Sequence, residues 1–78
     1  MARPPIRNTI RACRFHAGEM TQAALAKHAG VTRQTIIAIE HGKYAPSLEV
    51  AFRIARAFEK PLEAVFQWDE SLAGGSTP

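Results

Sequence analysis

Near the middle of the chain, Arg33, Gln34, Ile37 and Ala38 form a set of side chains suited to the edges of paired bases. An arginine fork matches the O6 and N7 acceptors of guanine. A glutamine amide matches N6 and N7 of adenine, and small apolar side chains meet the methyl of thymine. Each good bidentate contact gives about 1–3 kcal/mol of discrimination between bases. The alternative for Ile37 is packing against a second polypeptide. Thr21 and Gln22 stand where a helix would begin, and the free N–H groups there suit a phosphate. Lys43 and Tyr44 follow in a loop from which they can reach flanking phosphates; Tyr44 can equally close the edge of a core. Contacts of that kind set register and affinity without choosing a sequence.

Other chemistries find little support. Cys13 and His16 are three apart, and His28 and His41 complete the histidines. On helices, Cys13 falls on an apolar stripe and His41 on an outward face, so no metal site is expected. A single cysteine excludes an intrachain disulfide and a C-x-x-C site. Ser47 has no base beside it, the acids are scattered and no glycine-rich loop is present, so neither catalysis nor a cofactor nor a small-molecule substrate is expected.

The elements that would position these residues can be read from caps and periodicity. Residues 1–5, with Arg3, Pro4 and Pro5, read as a basic arm ending where proline suits the first turn of a helix. Ile6, Ile10, Cys13 and Ala17 then repeat at helical spacing, and Gly18 ends the run. Thr21 caps a second helix over 22–28, with Gly30 as the left-handed residue after it. Thr32 caps a third helix reaching about His41. Ser47 caps a fourth, with Leu48, Ala51, Ile54, Ala55 and Phe58 on its apolar side. Pro61 opens a short fifth helix containing Leu62, Val65 and Phe66. Residues 69–78 read as a flexible tail. No strand is predicted. The expectation is an all-α fold: one compact domain of five helices over residues 6–68.

Between Gln22 and His41 the pattern is that of a helix-turn-helix. Ala26 is small where two helices must cross closely. Gly30 stands where the turn requires a positive φ that a Cβ penalises by about 1 kcal/mol. Leu25, Ala29, Val31, Ile36 and Ile39 face inward. Projected at 100° per residue, Ile36 and Ile39 share one side of the third helix, with Glu40 near them. Gln34, Ile37, Ala38 and His41 share the other. Arg33 stands at the free N-terminal end.

Composition agrees with a small globular domain: 78 residues, 46% hydrophobic and 22% charged. No apolar run approaches the length of a membrane span, which takes about 18 residues, and the N-terminal residues lack a secretory pattern. The net charge of +3 is uneven. Residues 1–33 carry Arg3, Arg7, Arg11, Arg14, Lys27 and Arg33 against Glu19 alone, while the remainder is mildly acidic. A basic half suggests a polyanion approached from one side. Arg7, Arg11 and Arg14 form a helical stripe, which is either a solvated face or a source of long-range attraction.

The segments Met20-Thr21-Gln22-Ala23-Ala24-Leu25-Ala26-Lys27, Gly30-Val31-Thr32-Arg33-Gln34-Thr35-Ile36, Ile39-Glu40-His41-Gly42-Lys43 and Pro46-Ser47-Leu48 through Ile54-Ala55 resemble the Xre family of Cro-like phage-repressor and bacterial regulators. The resemblance spans about Ile6 to Phe66 and is close to a subgroup consisting of the DNA-binding domain alone. It implies a lambda-repressor-like five-helix fold and a cytoplasmic transcriptional regulator, most simply a repressor, binding a palindromic double-stranded DNA operator as a homodimer. The base-reading positions it implies are Arg33, Gln34 and Ala38, with Ile37 adjacent. The phosphate positions are Gln22, Thr32, His41 and Lys43. It also implies an ion pair between Arg14 and Glu40.

Three features depart from the family pattern. Ala38 replaces a polar base-reading side chain. The turn at Gly18-Glu19-Met20 is one residue longer than is common, which bears on the register of Arg14. Glu59-Lys60 stands where glycine and an apolar residue are frequent. The rival function is an antitoxin-like or adaptor domain whose main partner is another protein. Phe52, Phe66 and Trp68 support it, because interface cores are rich in aromatics. The same three side chains are also the candidate homodimer seam.

Overall fold

The computed structural model describes residues 4–72. In chain order it holds a strand β1 (Ile6–Asn8), helices α1 (Ile10–His16), α2 (Gln22–Ala29), α3 (Arg33–Glu40), α4 (Leu48–Ala57) and α5 (Leu62–Val65), and a strand β2 (Phe66–Trp68). Each helix contributes at least one fully buried aliphatic side chain to a single core: Ile10, Leu25, Ile36 with Ile39, Ile54 and Val65. Complete burial of such a side chain is worth about 1.5–3 kcal/mol relative to exposure. No helix here is long enough to be stable alone, so this shared core holds all five. α2 lies centrally, packed against both α3 and α4.

Three helix starts are capped by side chains. Thr21 accepts from Ala24 N–H at 3.0 Å, Thr32 from Thr35 N–H at 3.2 Å and Ser47 from Val50 N–H at 3.2 Å. Gly30 closes α2 in the left-handed conformation (φ 73). A Cβ built there would meet only Arg53 Nη1 at 3.8 Å, ordinary contact, so conformation and not space requires glycine.

The fold is mostly helical but not purely α, which corrects the all-α expectation. β1 and β2 pair antiparallel, with Ile6 opposite Trp68, Arg7 opposite Gln67 and Asn8 opposite Phe66. Ile6 therefore opens no helix, Ala17 is exposed, and Phe66 belongs to a strand instead of the fifth helix. A pairing between residues sixty apart adds nothing to local periodicity, so Ile6, Ile10 and Cys13 mimic one stripe. A helix was expected from Ile6; instead Asn8, at the end of β1, turns the chain into α1, its Oδ1 accepting Ile10 N–H at 3.1 Å. Thr9 ties the same corner to the C-terminal region, donating its N–H to Val65 O at 2.9 Å and its hydroxyl to Ala64 O at 2.7 Å. Leu48 is also corrected. It is 67% exposed on the first turn of α4 and takes no part in the core.

Beyond β2, Asp69 N–H donates to Pro5 O at 2.8 Å. Arg3 and the tail residues 73–78 lie outside the described residues.

Candidate nucleic-acid interface

α3 is amphipathic in the sense needed for an outward-reading helix. Ile36 and Ile39 are buried, while Arg33 and Gln34 are exposed and Ile37 and Ala38 keep part of their surface. The helix is held at both ends. Thr32 caps its start, and its hydroxyl also hydrogen-bonds Thr35 Oγ1 at 3.0 Å. At its end the N–H groups of His41, Gly42 and Lys43 return to the carbonyls of Ile37, Ile39 and Ala38. Gly42 adopts φ 74 to allow this.

Glu40 is the anchor of α3. Arg14 Nη2 reaches its Oε2 at 2.9 Å, and Gln22 Nε2 reaches its Oε1 at 3.1 Å. The pair is mostly enclosed, with 18% of the Arg14 side chain and 7% of the Glu40 side chain exposed. Burial by itself would raise the Glu40 carboxyl above its ordinary value. The hydrogen bonds from Arg14 and Gln22, with the charges of Arg14 and His41, outweigh it and hold the carboxyl below that value. α1, α2 and α3 therefore meet at one carboxylate.

The longer turn after α1 is what places Arg14. Gly18 and Glu19 both have positive φ, 80 and 59. The chain doubles back so that Met20 N–H donates to Arg14 O at 2.9 Å, while Arg14 Nη1 donates to Met20 O, also at 2.9 Å. This reciprocal pair fixes the arginine from both its backbone and its side chain.

Around α3 stand the residues with phosphate chemistry. Thr21, Thr32, His41, Lys43 and Tyr44 are exposed. Gln22 is half-buried, and its amide is engaged with Glu40; one amide hydrogen and the backbone N–H groups at the start of α2 remain the means by which this position can meet an anion. Tyr44 is 49% exposed and lies outside the core. The aromatic set divides. Phe66 and Trp68 line an apolar groove of about 380 Å³ with Ile6, Ala51, Leu48 and Leu62. Phe52 follows Leu48 by one turn of α4 but lines a different cleft, with His28, Arg53 and Arg56.

Two participants escaped the sequence reading. One is Gln22 as a ligand of Glu40. The other is Asn8, whose Nδ2 donates to Ile39 O at 2.9 Å and so joins β1 to the last turn of α3. An asparagine two residues ahead of a helix is a turn signal that would have drawn attention to it. Among the described residues no group of three or more histidine, cysteine or acidic side chains is placed to hold a metal. No helix among them is long and apolar enough to cross a membrane.

Comparison with known proteins fits this geometry. A family profile described as helix-turn-helix matches residues 10–65, from the start of α1 to the end of α5. An uncharacterized HTH-type transcriptional regulator of Archaeoglobus fulgidus is 48% identical over 70 residues, covering 90% of this chain and 99% of the relative. One from Methanothermobacter thermautotrophicus is 52% identical over 69 residues, covering 87% and 99%. The Bacillus subtilis HTH-type regulator YgzD is 42% identical over 65 residues, covering 83% and 97%. With its caps, its left-handed Gly30 and its buried Ile36 and Ile39 in the helix-turn-helix arrangement, the chain belongs to the Xre/Cro-like helix-turn-helix family of DNA-binding transcriptional regulators.

Proposed function

We propose that this protein is a cytoplasmic, sequence-specific repressor that lays α3 in the major groove of a palindromic operator as a homodimer. The observation that carries this reading is the two-sided character of α3. Arg33, Gln34, Ile37 and Ala38 lie away from the core, while Ile36, Ile39 and the anchored Glu40 hold the opposite side. Arg33 reads guanine, Gln34 adenine, and Ile37 with Ala38 meets thymine methyls. Thr21, Gln22, Thr32, His41, Lys43 and Tyr44 contact the flanking phosphates. The apolar groove holding Phe66 and Trp68, with exposed Leu48 and Phe52 on α4, supports a second copy as its occupant. Two half-sites would then lie about 34–36 Å apart, one turn of the duplex. Occupancy of the site, by blocking polymerase, is the regulatory act.

Selection of bound sequences from a random duplex pool tests the proposal. The expected result is an inverted repeat with that spacing. No consensus at low ionic strength overturns it. The exposed Leu48, Phe52 and Trp68 also suit a second reading, an antitoxin-like or adaptor domain with a foreign protein partner. Substituting Arg33 and Gln34 separates the two: operator binding collapses, whereas an adaptor keeps its partner.

A further inference from the structure

Arg11 lies on α1, outside the helix-turn-helix, yet it shares a cleft with that motif. The cleft, about 440 Å³, is bounded by Arg11, by Thr21, Gln22 and Ala23 at the start of α2, and by Arg33 and His41 at the two ends of α3. Its floor is the Arg14–Glu40 pair, whose carboxylate is already taken up by Arg14 and Gln22. Among the described residues the ion pairs are Arg14–Glu40 and Arg53–Glu49, so neither Arg11 nor Arg33 holds a carboxylate there. Both are exposed. Two arginines from different helices thus face one concavity whose acidic group is neutralised. A concave surface of one charge sign concentrates counter-ions of the other.

From this arrangement we propose that Arg11 is a direct ligand of a DNA backbone phosphate, extending the interface from α2 and α3 onto α1. The inference rests on α3 being the helix that meets DNA. It adds that the strand passing the start of α2 continues across α1. Arg11 reads no base: it supplies affinity equally to any sequence, through a charge-assisted bond to a phosphodiester oxygen.

The test is equilibrium binding of the full chain to a labelled duplex of random sequence and to a selected one, at several salt concentrations. Release of one counter-ion per phosphate contact sets the slope of log affinity against log salt. Arg11→Ala is expected to weaken both duplexes by the same factor, about tenfold, and to flatten the slope by about 0.9. Arg11→Lys should restore most of the slope. Arg56→Ala, an equal change in net charge on α4 in a cleft sharing no residue with this one, serves as the comparison. Since Arg11 is exposed and alanine favours helix, an unchanged melting temperature will show the variant is folded. If Arg11→Ala and Arg56→Ala have the same slope, while the parent chain binds and Arg33→Ala loses sequence preference, Arg11 is only a solvated charge and the inference fails alone. A parent chain that binds neither duplex overturns this inference and the DNA reading together.

Discussion

The side-chain amide of Asn8 donates to the carbonyl of Ile39 at 2.9 Å, so the first strand grips the last turn of α3. The same side chain accepts from Ile10 N–H and starts α1. One residue thereby sets the position of two helices relative to the β ribbon.

Asn8→Ala should lower stability by about 1–2 kcal/mol. The Ile39 carbonyl would keep its bond from Gly42 N–H, but Ile10 N–H would lose its acceptor. In a domain of this size that is a fall in melting temperature of about 4–16 °C. A midpoint within a degree or so of the parent would show that the two bonds carry no net stability.

Glu40 gives the protein an acid limb. Its carboxyl is held below its ordinary value in the folded state. A group lowered in this way contributes stability above its unfolded value, and that contribution is lost as pH falls through the folded value. Stability should therefore decline on acidification from about pH 5, and Glu40→Gln should remove part of that decline. Urea titrations of both chains across the acid range will show it. Identical slopes would contradict the assignment. Glu40→Ala at neutral pH takes the acceptor from Arg14 Nη2 and Gln22 Nε2, leaving Arg14 only its bond to Met20 O, and should cost about 3 kcal/mol, the lower end for a buried pair because Arg14 is partly exposed.

Glu59 holds φ 55 just after α4, a conformation that penalises any Cβ. Glu59→Gly should raise stability by about 1 kcal/mol. Gly30→Ala should do the reverse by a similar amount, since only its φ and not its surroundings opposes the methyl. Denaturant midpoints of the two variants should move in opposite directions.

Replacing thymine by uracil in a selected operator removes only methyl groups. At each thymine touched by Ile37 or Ala38, affinity should fall about fourfold, the worth of one buried methyl. Ile37→Ala should make the chain less sensitive to the exchange. Equal affinity for uracil at every thymine position would remove these two residues from base readout.

Leu48→Lys and Trp68→Ala alter side chains that are 67% and 59% exposed, so the fold should survive both. Sedimentation equilibrium should show a dimer for the parent chain and a monomer for each variant. A parent chain that sediments as a monomer, with or without DNA, would dismiss the seam.

Helices α2, α3 and α4 were readable in advance because each starts with a side-chain cap, and Gly30 and Gly42 mark where two of them stop. The inward positions Leu25, Ala29, Ile36 and Ile39 followed from helical period alone. The β ribbon did not, because three-residue strands have no period of their own and the backbone partner of Ile6, Trp68, lies at the other end of the chain. Leu48 misled for a related reason. It keeps helical spacing with the buried residues of α4, yet its first-turn position lies past the edge of the core. Arg14 and Glu40 could be paired only through family resemblance. Their actual geometry depends on the doubled-back turn at Gly18 and Glu19, whose φ values no pattern of side chains reveals. Gln22 shows the same limit: its type suits a phosphate, and only the folded chain shows its amide occupied by Glu40.

Because Ile6 and Trp68 sit side by side on paired strands, the folded unit enters and leaves through a single doorway. It should tolerate being spliced whole into a surface loop of an unrelated host with hardly any gap to span. A rearranged version, with its old ends sewn together by a short linker and a new opening cut in the exposed stretch at Lys43–Tyr44, should still collapse to the same shape.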